Sequence, residues 1–566
     1  MKWKLLDQPA VADIAKLAAA INADRVSATL LLQRGVTDFN SAKEFFRPDL
    51  NLLHDPFLMK DMDKAVARIL TAIEKKEKIL VYGDYDVDGT TSVALFYSYL
   101  LSIGAQAGYY IPDRYGEGYG ISFKGIDHAK ENNYALVVSL DCGIKANEKI
   151  EYANKKGVDF IICDHHLPGD ELPKAFAVLD PKRNDCKYPY KELAGCGVGF
   201  KLAQALQSTL KKPFSELTEY LDLVAISIAA DIVAITGENR TLCYFGLQEV
   251  NKLKRPGIKA LYQSNKLKKE MTVTDLVFVI APRINAAGRI DHAMRAAELL
   301  LSTNVEEAEK FAGGINQTNT NRKDIDQGMT AQALEMIGSN QELINKKYTV
   351  ICNETWHKGV VGIVASRLIE KYYRPTIVLT KSDGVLTGSA RSVKKFDIYT
   401  AIESCSGHLE QFGGHRHAAG LTLKPENLEA FTKQFESEVE KTITDDMLIR
   451  EIDIDLAINF NEINQRFFSI LQQFAPHGPG NMTPVFSTEN VRDTGWAKIV
   501  GTNHLKLELF QVDNPTVKFH AIAFDKGDFL PFFQKKMPLN ICYSINENHY
   551  NGKTTLQLVV RDIQLA

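Results

Sequence analysis

The chain of 566 residues contains no C-x-x-C pair among its eight cysteines, which are scattered from Cys142 to Cys542. That spacing argues against a zinc module or a disulfide framework, so the thiols are expected to be reduced and mostly buried. No apolar run reaches the length a membrane helix needs. Met1-Lys2-Trp3-Lys4 leads into polar residues rather than the apolar stretch of a secretory signal, and a cytoplasmic location is expected. The net charge of −3 rules out a global basic signature, so any nucleic acid would have to be bound in a local groove. Internal repeats and low-complexity tracts are also missing. The rest is ordinary for a globular protein, with 45% hydrophobic and 24% charged residues, and the length calls for three or four domains.

Along the chain, residues 1–60 read as a helical lead-in. Within 61–290, short apolar runs alternate with amphipathic helical stretches. Ile79-Leu80-Val81-Tyr82, Leu136-Val137-Val138-Ser139-Leu140 and Phe160-Ile161-Ile162-Cys163 suit strands buried on both faces of a parallel sheet, and Thr91 to Leu101 suits a crossover helix. Residues 291–340 read as one long or broken connecting helix. A second α/β unit is expected over 341–445, with Tyr348 to Cys352 and Thr376 to Leu379 as strands. The tail, 446–566, holds alternating segments such as His504 to Leu509 and Thr555 to Val560, which predict an all-β barrel of OB type. The fold class is therefore multi-domain α/β, with a parallel sheet first and a β-barrel last.

The residues directly after each apolar run carry the chemistry. Tyr82 leads into Gly83-Asp84-Tyr85-Asp86-Val87-Asp88-Gly89, Leu140 into Asp141-Cys142-Gly143, and Cys163 into Asp164-His165-His166. A fourth run, Leu223 to Ala230, reads as another strand and ends in Asp231. Open parallel sheets build their sites beyond the carboxyl ends of the strands, so four segments aim acidic or imidazole groups at one edge. Asp84, Asp86 and Asp88 alternate, which in an extended segment points them the same way. So many carboxylates repel each other unless divalent cations intervene, and oxygen with imidazole suits Mn²⁺ or Mg²⁺. An EF-hand does not fit, because the twelfth position from Asp84 is Leu95 rather than Glu.

These segments resemble the motifs of the DHH phosphoesterase superfamily, with Asp231 matching its last metal-binding aspartate. Five further segments resemble the RecJ exonucleases within it: Pro112-Asp113-Arg114 with Glu117-Gly118-Tyr119-Gly120, Pro282 to Arg289, Trp356 to Gly362, Gly388 to Ser392, and Gly413 to Gly420. The match runs in order from about residue 50 to the C-terminus. It implies a catalytic DHH domain, a substrate-binding DHHA1 domain and an OB-type nucleic-acid-binding domain. The implied activity is hydrolysis of single-stranded DNA from the 5′ end into mononucleotides, using two Mn²⁺ or Mg²⁺ ions. A DHH phosphodiesterase acting on short RNA or cyclic dinucleotides is the alternative.

By the same resemblance, Asp86 holds the first metal, Asp141 bridges both, and Asp88, His165 and Asp231 hold the second. His166 faces the scissile phosphate, and Asp84 is a supporting or weak ligand. Tyr82 stands where some superfamily members have a metal-binding His, which implies a first ion bound partly through substrate. Arg283, Ser389 and Arg391 are expected at the 5′-phosphate pocket. Arg114, Asn285, Arg289, Gly414 and His415 are further substrate contacts, and Trp356 and Tyr119 are expected to stack on bases. The family's partners are a single-strand-binding protein and a helicase, and a monomer is expected.

Overall fold

The computed structural model describes residues 1–290, 293–550 and 552–566. The first sheet is all parallel, with strands Ala107–Tyr110, Lys78–Gly83, Tyr134–Leu140, Asp159–Cys163 and Ala177–Leu179 in that spatial order. Alternate residues of one strand feed different cores. Ile79 and Val81 pack with residues of helices Val87–Ser102 and Gly195–Thr209, while Leu80 and Tyr82 pack with Ile126 and Ile150 on the opposite face. Both faces are covered, which is why these runs are apolar without alternation.

One expected strand is instead a helix. Leu221–Ala230 is an α-helix, with every residue from Leu221 to Ala229 buried. It packs in one core with helices Val87–Ser102 and Gly195–Thr209. A short run that is apolar all round has no period, so a buried helix and a buried strand look alike in sequence. The Asp84–Asp88 segment also differs from expectation. Asp86 is the N-cap of helix Val87–Ser102 and Asp88 lies in its first turn, so the alternation is not that of an extended chain.

The connection between the α/β units is broken once. Helix Met294–Leu301 ends before Asn304, whose side chain caps the next helix, Val305–Gly338, by accepting from the Glu306 amide at 2.8 Å. This 34-residue rod is about 50 Å long. Ala308, Ala312 and Ile315 at its start belong to the first core. Met329, Ala333 and Ile337 near its end pack with Val364 and Leu368 of the second α/β unit. One helix thus sets the distance between the two.

The second sheet is mixed, in the order Gln411–His415, Ala418–Leu423, Val385–Arg391, Thr376–Ser382, Thr349–Cys352, with only the last pair parallel. The C-terminal strands form a seven-stranded sheet that closes because Phe486–Asp493 pairs with both Leu539–Tyr550 and His504–Gln511. The N-terminal region departs from a purely helical lead-in. Lys2–Leu5 is a strand that pairs in parallel with Glu451–Ile454, and Ile14, Leu17, Leu30 and Leu31 share the barrel's core. Among the described residues no helix is long and apolar enough to cross a membrane.

Candidate active site

At the carboxyl edge of the parallel sheet, three strand ends and the end of helix Leu221–Ala230 converge. His165 Nε2 lies 3.2 Å from Asp141 Oδ1, 3.6 Å from Asp231 Oδ2 and 3.8 Å from Asp88 Oδ2. Asp88, His165 and Asp231 each offer a ligand atom within 4.8 Å of the others, and so do Asp141, His165 and His166. Asp88 is fixed by backbone amides of Gly195 and Cys196 and by the Ser227 hydroxyl, each at 2.7 Å. Gly195 has to be glycine, because a Cβ there would lie 2.6 Å from that of Asp141. Asp141 itself adopts φ 61, a left-handed conformation that short polar side chains tolerate.

Electrostatics mark the cluster as a cation site. Burial, and then the charges of Asp88, Asp86 and Asp231, push the Asp141 carboxyl well above its ordinary range. Asp231 rises to about 8 through burial and the nearby Asp88 and Asp86. Burial and Asp86 also raise Asp84, whose Oδ2 is buried without a hydrogen-bond partner. Both ring nitrogens of buried His165 lack hydrogen bonds. Divalent cations would relieve all of these at once, and a donor set of carboxylates and imidazole fits Mn²⁺ or Mg²⁺. Tyr82 takes no part. Its hydroxyl donates to Gly120 O at 2.9 Å, and its ring stacks on Tyr110 at 5.4 Å.

His166 differs from its neighbour. Its Nδ1 lies 2.7 Å from Asp164 Oδ1, and Asp164 also accepts from the backbone amides of His165 at 2.7 Å and Ile144 at 2.9 Å. Burial is the largest single influence and opposes the charge on His166, but the Asp164 bond and the charges of Asp164, Asp231 and Asp88 together outweigh it and raise the pKa to about 9. Tyr119 Oη sits 3.4 Å from His166 Nε2. Asp164 was legible as a strand-end residue yet is absent from the expected site. Asp180, just after the three-residue strand Ala177–Leu179, gave no comparable signal; burial raises it to about 7.

Next to the carboxylates lies a cleft of about 590 Å³ between the two α/β units, lined by Tyr85, Arg114, Arg289, Gly362, Ser389 and Arg391 among others. Arg391 donates to Ser389 Oγ at 2.8 Å, Arg289 donates to Gly359 O at 3.2 Å, and the Arg114 guanidinium lies 4.9 Å from the centre of the Tyr85 ring. Among the described residues no carboxylate pairs with any of the three. Burial, and then the adjoining Arg114, Arg391 and Arg322, lower the Arg289 pKa to about 10. Mutually repelling, half-buried guanidiniums form an anion site. Gly288 lets its helix reach the metal-motif loop, since a Cβ would lie 2.6 Å from Tyr85 O. A larger cavity of about 780 Å³ lies between helices Gly237–Asn251 and Gln465–Gln472, but it has no cluster of metal-type ligands, so charge rather than volume locates the site.

Not every expected contact is assembled. Arg283 turns away from the cleft: its Nε donates to Asn316 at 2.8 Å and Nη1 to Val279 O at 2.5 Å. Asn285 is half-buried and does not line the cleft. Trp356 is buried in the core beside the long helix, with Nε1 donating to Gln332 at 2.7 Å, so it is not placed to stack on a base. Gly414 and His415 sit on the exposed hairpin strand Gln411–His415. Gln411 of that strand and Gly420 of its partner strand line the cleft, whereas Gly414 and His415 do not.

One unexpected residue stands at the rim. Ile232, directly after Asp231, has φ 58 and is 66% exposed. It comes after helix Leu221–Ala230 at the position where glycine is usual, and a left-handed conformation costs a residue with a Cβ about 1–2 kcal/mol.

Residues 78–228 match the DHH family N-terminal domain, 345–441 the DHHA1 domain and 454–562 the RecJ OB domain. The chain is 35% identical to the single-stranded-DNA-specific exonuclease RecJ of Bacillus subtilis, over all of this chain and 71% of that protein. It is 33% identical to the protein of the same name from Escherichia coli, over 89% of this chain and 90% of the relative. The crystal structure of Thermus thermophilus RecJ in complex with Mn²⁺ superposes with a TM-score of 0.86 at 27% identity, covering all of this chain and 80% of that one. A structure of exonuclease RecJ bound to manganese covers 68% of this chain and 96% of its own, with a TM-score of 0.60 at 31% identity.

Proposed function

The chain belongs to the RecJ family of single-stranded-DNA-specific exonucleases, and from that premise we propose that it releases mononucleotides from the 5′ end of single-stranded DNA. It is a metal-dependent hydrolase of the DHH class. Asp86, Asp88, Asp141, His165 and Asp231 would hold two ions, which supply an activated water and neutralise charge on the attacked phosphate. His166, kept protonated by Asp164, donates from Nε2 to a non-bridging phosphate oxygen. Asp84 supports the site from beneath through the Gly120 amide, 3.3 Å away.

The observation that carries the reading is the cleft beside the carboxylate cluster, in which Arg114, Arg289 and Arg391 have no carboxylate partner among the described residues and the lining carboxylate Asp383 pairs with Lys358 instead. Arg114, Arg289, Ser389 and Arg391 receive the terminal 5′ phosphate there, which sets the polarity. Arg283, held away from the cleft, has no part in that pocket. The barrel holds the strand upstream of the cut. Its Trp496 is 38% exposed, with the Lys498 and Lys506 ammonium groups 4.5 and 5.5 Å from the ring centre. The resemblance further supports a cytoplasmic monomer that works beside a single-strand-binding protein and a helicase.

The test uses DNA labelled at either end. With Mn²⁺, mononucleotides should leave progressively from the 5′ end of single strands, duplexes should survive, and chelator should stop the reaction. Intact long DNA alongside cleaved dinucleotides would instead favour a short-substrate phosphodiesterase.

A further inference from the structure

Thirteen described residues other than glycine have positive φ, and Ile232 is the one β-branched residue among them. Packing does not compensate for its conformation, because the side chain is two-thirds exposed. The backbone on both sides is pinned. The Asp231 amide donates to Ser227 O at 2.9 Å, and the Ile235 amide donates to Pro479 O at 2.8 Å. Ala234 O accepts from Tyr190 Oη at 3.1 Å and from Asn239 Nδ2 at 3.0 Å. An over-determined strained residue whose side chain gains nothing by packing points to use by a ligand. The place agrees: Ile232 comes directly after Asp231, a member of the carboxylate and imidazole cluster. A second exposed aliphatic, Leu167 at 70%, comes directly after His166.

We infer that Ile232 is an apolar seat for the nucleobase beside the scissile phosphate, a positioning contact that complements the phosphate-binding arginines. The inference rests on the single-strand exonuclease reading above. A base is a flat apolar face that any sequence supplies, so an aliphatic edge at the metal rim orients the strand without selecting sequence. Isoleucine offers more such surface than the glycine or asparagine that its backbone would favour.

The test compares the native enzyme with Ile232→Gly and Ile232→Asn, both of which accept the left-handed conformation. Substrates are 5′-phosphorylated single strands, either intact or with abasic sites at the first two nucleotides, in Mn²⁺. The native enzyme should lose roughly ten-fold in kcat/KM on the abasic strand, mostly through KM. Both variants should lose a similar factor on the intact strand and should no longer distinguish it from the abasic one. Their melting temperatures should be at or above that of the native chain. Variants that still discriminate abasic ends as the native enzyme does overturn the seat. A native enzyme that leaves both strands uncut overturns the exonuclease reading instead.

Discussion

The catalytic unit meets its neighbours at two junctions, and each uses arginine in the opposite way. At the barrel side, Arg240 is buried, its guanidinium 3.9 Å from the centre of the Phe45 ring. It donates to the carbonyls of Phe45, Gln473, Phe474, Ala475 and Pro476 at 2.8–3.3 Å. Those acceptors come from the N-terminal helices and the C-terminal region, so one side chain joins three parts of the chain and has little capacity left for a ligand. At the cleft side, Arg114, Arg289 and Arg391 share few protein acceptors and face one another. A saturated guanidinium is a structural fastener, whereas an unsaturated group of them is a receptor.

Removing the chemistry should leave both junctions in place. Asp141→Ala takes away one carboxylate of the metal-type cluster, and hydrolysis should fall by about 10³-fold or more. The scattering profile should match that of the native protein; near-normal turnover with Mn²⁺ present would remove Asp141 from the site. Arg240→Ala should act in the other direction. The carbonyls of Phe45, Gln473 and Ala475 lose the guanidinium, while those of Phe474 and Pro476 keep the Asn481 amide; this should cost about 3 kcal/mol of stability, read in urea unfolding, with faster amide exchange around residues 473–481. A stable Arg240→Ala protein with lost activity would erase the distinction between the junctions.

Arg289→Ala sharpens the contrast from the receptor side. It should lower kcat/KM on 5′-phosphorylated single strands about 100-fold, leave the melting temperature unchanged, and affect 5′-hydroxyl strands far less. Equal losses on both ends would place Arg289 outside the phosphate pocket. The last effect concerns pH. Burial, aided by Arg34 and Arg240 and opposed by a bond to Asn481 O, lowers the His477 pKa to about 4. The unfolded chain binds that proton near pH 6.5 and the folded chain does not. Stability is therefore complete above that pH and falls by roughly 3 kcal/mol as pH drops towards 4. In His477→Gln this slope should be absent; a slope unchanged from native would show that the junction admits a charged imidazole.

The strand-end carboxylates were legible because each comes after a short β-branched run bounded by turn residues, a pattern that suits a buried strand. Asp231 was legible as a ligand but not as the end of a helix, since Leu221–Ala230 is enclosed on all sides and shows no period. Arg283 and Arg289 lie on one helix six residues apart, so they point about 120° away from each other. The sequence holds both and cannot say which face meets the cleft. Trp356 carries the same ambiguity of core against surface, resolved only by the long helix packing over it. Ile232 is invisible without backbone angles.

The pairing of Lys2–Leu5 with Glu451–Ile454 bears on how the protein is made. The apolar faces of helices Val11–Ile21 and Arg25–Gln33 belong to a core completed by residues such as Phe467, Leu507 and Val560. On the ribosome those faces emerge before residues 467–560 and wait for them through roughly tens of seconds of synthesis. Throughout that interval they are exposed apolar surface on a nascent chain, the kind of target that chaperones bind.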